Sequence, residues 1–298
     1  MRRRERANPM LSPRRLRRAL TRRIGLKLAF GWIGVVVLCA LFAPTLVSQD
    51  PDFQDLAAVM EGPSGEHWLG TDDLGRDVFT RLLVGARTSV IGVGVAMAVA
   101  LGIGIPIGLI SGYLGGWVDN LTMRVIDAFL SFPALVLAVG IVGALGRGLM
   151  NAMVAVGIIF APTIARLLRG QVLATKHRLY IDAARQYGSG TPRIIVRHLL
   201  PNAIQPVVVQ GAILVAMAFL AEAGLSFLGL GVQPPTASWG GMLNRASRFL
   251  RVAPASQIYA PGLAIMLTAL AFNVIGDALR DLLDPRARRR ASTPPETT

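Results

Sequence analysis

Six long apolar stretches with almost no charged residues constrain the fold of this chain more than any other feature. They lie at 24–47, 88–112, 125–146, 149–165, 203–225 and 259–276. A helix needs about 17–25 apolar residues to cross the hydrocarbon core of a bilayer. In that core a single segment can form hydrogen bonds with all of its backbone N–H and C=O groups only as a helix. Charged residues make up 16% of the chain, against 53% hydrophobic residues. The sequence therefore predicts an all-α, polytopic membrane protein with six transmembrane helices.

The lysines and arginines predict the orientation of these spans. When the N-terminal region is placed inside, 24 of the 31 basic residues lie in inner segments and seven lie in outer ones. Because basic residues accumulate on the cytoplasmic side of a membrane, we expect both termini to lie in the cytoplasm. The basic tails are 1–23 and 287–298, the outer loops are 48–87 and 226–258, and the inner loop is 166–202. The N-terminal tail can also contact anionic lipids.

Composition excludes several classes of function. The net charge of +14 does not indicate nucleic-acid binding, because the basic residues flank apolar spans and do not form one basic face. Neither Lys27 nor Lys176 lies in a GxxxxGK[ST] phosphate-binding loop, so the chain does not supply an ATPase. The single cysteine, Cys39, allows no disulfide and no cysteine-based metal site. We therefore expect no catalytic residue, no metal site and no cofactor in this chain.

The second span carries a small residue at every fourth position. These residues are Gly92, Ala96, Ala100, Gly104, Gly108 and Gly112. Their spacing places them on one helix face, where a second helix can pack closely. Pro106 is expected to kink this helix. The stripe predicts tight helix packing but does not discriminate between functions.

Two acidic residues fall within apolar spans. Asp127 lies about one turn inside the third span, where an acid is a functional candidate by default. Because Arg124 precedes it by three residues on the same helix face, we predict a structural ion pair between them. Glu222 lies near the outer end of the fifth span. Between the third and fourth spans, the sequence Gly-Arg-Gly at 146–148 predicts a tight outer turn.

The outer loops contain local structural signals. The acid spacing in TDDLGRD at 71–77 permits a Ca²⁺ loop, but the glutamate at the twelfth position of such loops is missing. We interpret His67 as a structural residue. In the other outer loop, Ser238 is predicted to cap a short helix, and Trp239 suits the membrane interface.

The longest polar run between the spans is YIDAARQYGSGTPRIIVRHLLPN at 180–202. Gly188 suits the left-handed residue that follows a helix. Thr191 is predicted to cap a second helix with Pro192 at its first position, and Pro201 marks the turn into the fifth span. The run therefore predicts a helical elbow on the inner side. The alternative is an ordinary amphipathic cytoplasmic loop.

Four segments together resemble the permease subunits of ABC importers for dipeptides, oligopeptides and nickel. They are HWLGTDDLGRDVFTRLLVGARTS at 67–89, the elbow at 180–202, EAGLSFLGLGVQPPTASWGGML at 222–243, and PGLAIMLTALAFNVIGDALRDLLDPR at 261–286. Within the elbow, DAA, Gly188 and HLLP keep the spacing of the EAA loop of this family. Two positions depart from its pattern, since Asp182 replaces glutamate and His198 replaces an aliphatic residue.

The resemblance implies a multi-pass protein of the bacterial plasma (inner) membrane and a type I ABC importer permease fold with its core at 88–286. It also implies a homologous second permease, two ABC ATPase subunits that bind ATP and Mg²⁺, and an extracytoplasmic solute-binding protein. In the family the EAA loop docks into an ATPase subunit. The residues that would couple to it here are Tyr180, Asp182, Ala183, Ala184, Gly188, His198 and Pro201.

The sequence is compatible with more than one solute and more than one role for the outer loops. Peptides are the default solute of the family, with nickel or another small solute as the alternative. A self-powered secondary transporter is a different class, and the nearly uncharged span centres do not favour it. Polar outer segments interrupted by glycine and proline either face the binding protein and outer gate or only cover the permease dimer. The candidate contacts are Asp72, Arg76, Asp77, Pro234, Pro235 and Trp239.

Overall fold

A computed structural model describes residues 13–47 and 49–283 of the chain, and this part is built from helices. It contains no strand, only one isolated antiparallel bridge between Thr71 and Asp77. The prediction of an all-α protein is therefore confirmed. The predicted C-terminal tail and the first part of the N-terminal tail lie outside the described residues.

The helices follow one another with short connections. They are α1 (Pro13–Leu46), α2 (Val78–Leu114), α3 (Gly116–Ser131), α4 (Ala134–Leu145), α5 (Leu149–Thr175), α6 (Leu179–Gln186), α7 (Thr191–Arg193), a π-helical turn (Ile194–Leu199), α8 (Leu200–Ala203), α9 (Gln205–Phe227), α10 (Trp239–Ser247) and α11 (Ser256–Leu283). We name the end of the bundle that carries the loops after α1 and α9 the outer end, and the end that carries α6 to α8 the inner end, following the predicted orientation.

Within the described residues, five helices are long and apolar enough to cross a membrane: α1, α2, α5, α9 and α11. The helices α3 and α4 supply a sixth crossing only if the bent pair counts as one span. The figure of six spans therefore stays a prediction.

The third predicted span, at 125–146, is not one continuous helix. It divides into α3 and α4, which meet at an angle of 97°. Phe132 has an extended backbone (φ −83°, ψ 140°), as expected of a residue before proline, and Pro133 has no N–H to continue the helix. At about 1.5 Å per residue, the 12 residues of α4 extend about 18 Å, short of the hydrocarbon core of about 30 Å.

The first helix also begins earlier than its apolar span. The sequence predicts a basic tail up to residue 23, whereas α1 starts at Pro13, where a proline at the start of a helix costs no hydrogen bond. Its apolar part, Ile24–Ala43, packs against α2 and α11. Trp32 Nε1 donates a hydrogen bond to Thr268 Oγ1 of α11 at 3.0 Å.

The closest pairing in the bundle joins α2 and α5. All six small residues of the stripe on α2 are buried. A methyl group added at Gly104 would lie 2.7 Å from the carbonyl oxygen of Ala161, and one at Gly108 would lie 2.6 Å from that of Ala165. Gly157 on α5 is equally close to the backbone of Ala96. Small residues on both helices therefore let the two backbones approach, as the spacing predicts.

The ion pair predicted between Arg124 and Asp127 is wrong. The carboxylate of Asp127 instead contacts Arg166 of α5. A second pair, between Asp119 and Arg169, joins the same two helices. Because α3 lies against α5, arginines on the neighbouring helix reach these carboxylates. Both pairs therefore join α3 to the long helix α5.

Candidate functional site

The first candidate site is the elbow at the inner end, formed by α6, the turn at 187–190, α7, the π-helical turn and α8. Gly188 has φ +77°, which confirms the predicted left-handed residue. The Ser189 N–H donates to the carbonyl of Ala184 at 3.0 Å, and the Gly188 N–H donates to that of Arg185 at 2.9 Å. These two bonds form the Schellman motif that ends a helix and reverses the chain.

The second half of the elbow differs from the prediction. Gly190, not Thr191, precedes the helix with an extended backbone, and no side chain caps it. Thr191 is the first helical residue, and Pro192 fits beside it because the first turn needs no proline N–H. Further along, the Leu200 N–H donates to the carbonyl of Ile195, five residues back. The chain widens into this π-turn just before Pro201, which has no N–H to continue the ladder.

The predicted coupling residues differ in their exposure. Tyr180, Gly188 and Pro201 are exposed, whereas Asp182, Ala183 and His198 are half-buried. Ala184 is only 8% exposed and lies on the inward face of α6 with Ile181. Of the two alanines that would couple to an ATPase, Ala184 therefore lies on the face of α6 that packs into the chain itself.

Large apolar side chains are exposed on the elbow instead. Leu179 is 88% exposed, Tyr187 is 91% exposed and Val196 is 63% exposed. Exposed apolar groups of this size on a segment outside the spans are typical of a protein contact. We call Leu179, Tyr180, Tyr187 and Val196 the elbow surface. Apolar side chains in an otherwise polar loop are the sequence signal for this surface, and of its four residues the predicted coupling set includes only Tyr180.

The elbow is held firmly on the ends of α2 and α5. Ile181, Ile194 and Leu199 are buried in one apolar cluster with Ile164 and Leu168 of α5. Arg185 of α6 adds to this contact, and Lys176 at the end of α5 joins that helix to α2. The Arg185 guanidinium lies 5.6 Å from the centroid of the Tyr113 ring, and Lys176 Nζ donates to the Gly112 carbonyl at 3.0 Å. A displacement of the elbow therefore acts directly on the most closely packed helix pair.

The second candidate site is the outer loop before α2, which folds around its own acids. Asp72 accepts hydrogen bonds from the backbone of Leu74 and Arg76 and from Arg76 Nε at 2.8 Å. Asp77 caps α2 by accepting from the Thr80 N–H at 2.7 Å, and it contacts His67 Nδ1 at 3.1 Å. These carboxylates have a structural use within the chain, and His67 is a structural residue as predicted.

Three of the six predicted outer contact residues are buried. Asp72 and Arg76 are internal to the loop, and Trp239 is 3% exposed. The indole of Trp239 donates to the Leu82 carbonyl at 2.9 Å and stacks on Phe219. The prediction that Trp239 lies at the membrane interface is therefore wrong, because close packing of α10 on α9 takes the indole inside. Ser238 does cap α10, accepting from the Gly241 N–H at 3.1 Å.

The other two predicted contact residues of the later loop, Pro234 and Pro235, are exposed. The sixth predicted contact residue, Asp77, is half-buried at the start of α2. The Pro235 carbonyl accepts a hydrogen bond from Arg81 Nη2 of α2 at 3.0 Å. Nη1 of the same arginine donates to the Pro51 carbonyl of the first outer loop at 2.7 Å. The two outer loops therefore meet at the outer end of α2.

Glu222 is the carboxylate buried most deeply among the helices. It is 1% exposed, and it accepts hydrogen bonds from Ser226 Oγ at 2.9 Å and from Ser89 Oγ at 3.1 Å. Ser226 Oγ in turn accepts from the Val232 N–H at 3.3 Å. This network joins α2, α9 and the loop after α9. The sequence indicated it only by an acid with a serine four residues later.

A cavity of about 360 Å³ opens between the two outer loops. We call it the outer cavity. Its wall includes Asp72, Asp73, Arg81, Arg147, Arg245 and Arg248. The turn at 146–148 reaches it because the Gly148 N–H donates to the Leu230 carbonyl at 3.1 Å. Nothing in the sequence predicts this cavity, because its residues come from four separate segments.

Comparison with known proteins identifies relatives along most of the chain. A family model described as "Binding-protein-dependent transport system inner membrane component" matches residues 104–289. The dipeptide transport system permease protein DppC of Alkalihalophilus pseudofirmus is 44% identical over 252 residues, which are 85% of this chain and 83% of that protein.

Two further relatives have similar coverage. The glutathione transport system permease protein GsiD of Pectobacterium atrosepticum is 41% identical over 85% of this chain and 84% of its own length. The probable D,D-dipeptide transport system permease protein DdpC of Escherichia coli K12 is 41% identical over 87% of each chain.

Solved structures add a likeness in fold. A structure described as an inward-facing conformation of the MetNI methionine ABC transporter aligns with a TM-score of 0.53 and 20% identity. The alignment covers 68% of this chain and 97% of that one. A second crystal form of the same transporter aligns with the same score. At this identity the likeness supports the arrangement of the helices alone.

Proposed function

The chain belongs to the family of binding-protein-dependent transport system inner membrane components and is a transmembrane permease subunit of an ABC transporter; from this premise we propose that it forms half of a pathway that imports peptides. The three relatives compared above carry names that refer to dipeptides, glutathione and D,D-dipeptides. All three solutes are short peptides with at least one free carboxylate. This common chemistry supports di- or oligopeptides as the solute class.

The elbow supports coupling to a separate ATPase. It is the single observation that carries an ATP-driven mechanism, because it presents large exposed apolar groups while its inward face is anchored on α2 and α5. Two ABC ATPases, each binding ATP with Mg²⁺, would supply the free energy. Docking on Leu179 and Tyr187 would transmit ATPase closure to the helix pair that contains the small-residue stripe.

Three other partners follow from the proposal. A homologous permease completes the pathway, membrane lipids surround the pair, and an extracytoplasmic solute-binding protein delivers peptide to the outer end. The exposed residues Pro234 and Pro235 are the contacts that the outer surface offers to that protein. The elbow faces the cytoplasm, where ATP is, and the charge bias of the loops supports this orientation.

Uptake by the reconstituted importer tests the proposal. The chain is purified with its companion subunits, placed in liposomes with the binding protein, and supplied with labelled dialanine, trialanine or glutathione. We expect uptake of at least one peptide that requires ATP. Uptake of nickel but of no peptide would contradict the proposed solute, and uptake driven by an ion gradient without ATPase subunits would contradict the proposed mechanism.

A further inference from the structure

The outer cavity has the size and location of a small-molecule site. Its volume of about 360 Å³ lies within the range of about 300–1,000 Å³ that is typical of such sites. It lies between the loop before α2 and the loop that contains α10, at the outer end of the bundle. A solute that arrives from outside would therefore reach this end of the chain first.

The charges on the cavity wall do not balance. Arg81 is paired with Asp52 at 2.7 Å, and Arg245 lies 3.6 Å from Asp73. Asp72, the other acid on the wall, is bonded to Arg76.

Arg147 and Arg248 remain as uncompensated cations on this wall. Within residues 13–47 and 49–283, neither of the two has a carboxylate partner. Arg147 is exposed at the tip of its turn, and Arg248 Nη2 donates only to the neutral amide oxygen of Asn244, at 3.1 Å. The wall therefore offers two guanidinium groups to a ligand.

We propose that the outer cavity binds the free carboxylate of an incoming peptide through Arg147 and Arg248. This inference rests on the proposed peptide import and names a site for that solute in this chain. The planar guanidinium donates two parallel hydrogen bonds to a carboxylate, which makes arginine well suited to this group. The same arginines repel divalent cations such as Ni²⁺. The site would therefore favour peptides over nickel, the two solutes that the family resemblance suggests.

Protection of a single cysteine from alkylation tests the site directly. Thr236 is exposed and lines the cavity, so Thr236→Cys in a Cys39→Ser background places a reporter there. The complete importer is held in lipid nanodiscs without binding protein. The rate of maleimide labelling of this chain is measured while dialanine or dialaninamide, which lacks the carboxylate, is titrated.

We expect dialanine to slow labelling and dialaninamide to have no effect. At about twice its dissociation constant, a single-site ligand slows labelling of the occupied position about threefold. Combining Arg147→Gln with Arg248→Gln removes the protection. Arg251→Gln, a change of an exposed arginine outside the cavity wall, retains it.

Two results would overturn the site. Equal protection by the acid and the amide, or none by either, would exclude carboxylate recognition, provided that the same importer takes up dialanine in liposomes. In a further measurement, binding protein without peptide is added to the nanodiscs. If it slows labelling and the two arginine changes abolish this effect, the arginines contact an acidic side chain of the binding protein and not the peptide. If the importer takes up no peptide, the proposed function itself fails, and the uptake assay reveals this separately.

Discussion

Single buried polar groups hold the outer end of the bundle together. Glu222 is the central example, because its two oxygens bind serines on α2 and α9, and Ser226 then binds the backbone of the following loop. Gly240 adds to this contact, since a methyl group at that position would lie 2.6 Å from the Cα atom of Ala223. The loop with α10 is thus fixed on α9 by one hydrogen-bond network and one close backbone approach.

Replacing Glu222 tests this network. Glu222→Ala leaves the Ser89 and Ser226 hydroxyls without their acceptor, and an unsatisfied buried polar group costs about 1–3 kcal/mol. We expect a lower apparent melting temperature of the detergent-purified chain, by about 2–4 °C for each kcal/mol. Glu222→Gln keeps the shape of the side chain and an oxygen that accepts a hydrogen bond, so its melting temperature should be closer to that of the native protein. Equal melting temperatures for all three proteins would show that the network contributes no stability.

At the scale of elements, the decisive contact is the crossing of α2 and α5. Gly104 and Gly108 face carbonyl groups and side chains of α5 at distances that leave no room for a methyl group. Gly102 lies only two residues from Gly104 but on the open face, with nothing within 4 Å of an added methyl group. The chain thus supplies a matched pair of glycines that differ in packing and share a helix.

Alanine substitutions at these two glycines should have opposite effects. Gly104→Ala overpacks the crossing, which typically costs about 1–3 kcal/mol. Gly102→Ala is neutral or stabilises by up to about 1 kcal/mol, because alanine favours the helix more than glycine does. Thermal unfolding of both variants in the same detergent measures the difference. A Gly104→Ala protein as stable as the Gly102→Ala protein would contradict the close crossing.

The sequence predicts these elements unevenly, and the reason is physical. The stripe on α2 and the left-handed turn at Gly188 follow from local spacing and backbone conformation, so sequence alone could identify them. The partner of Asp127 and the burial of Ala184 depend on which neighbouring helix approaches. The outer cavity depends on where four separate segments meet. Contacts between distant segments carry no local pattern, which is why the predictions for Arg124 and Trp239 failed.

At the scale of the whole molecule, the orientation of the bundle decides whether the elbow can meet an ATPase. Ser64 lies exposed in the first outer loop and Thr191 lies exposed on the elbow. In a Cys39→Ser background, a membrane-impermeant maleimide added to intact spheroplasts should label Ser64→Cys and leave Thr191→Cys unlabelled. Permeabilised cells provide the control in which both are labelled. Labelling of position 191 in intact cells would place the elbow outside and remove the basis for coupling.

The bundle also separates two tasks between its ends. The outer end is held together by the Glu222 network and the folded acidic loop, and it carries the outer cavity that we propose as a solute site. The inner end combines the exposed elbow surface with a rigid attachment to α2 and α5. A permease that couples ATP hydrolysis to import needs both ends joined by stiff helices, and α2 and α5 extend from one to the other.

The most direct test of this account is the amount of ATPase that remains bound when the elbow surface is altered. Leu179→Glu and Tyr187→Glu change side chains that are 88% and 91% exposed, so the chain's own folding is spared. Val252→Glu, at a position 71% exposed at the outer end, is the matched control. For the elbow variants only, we expect at least about tenfold less co-purified ATPase, a loss of about 1.4 kcal/mol of binding free energy, together with loss of peptide uptake. Native ATPase retention and native uptake in both elbow variants would contradict this account.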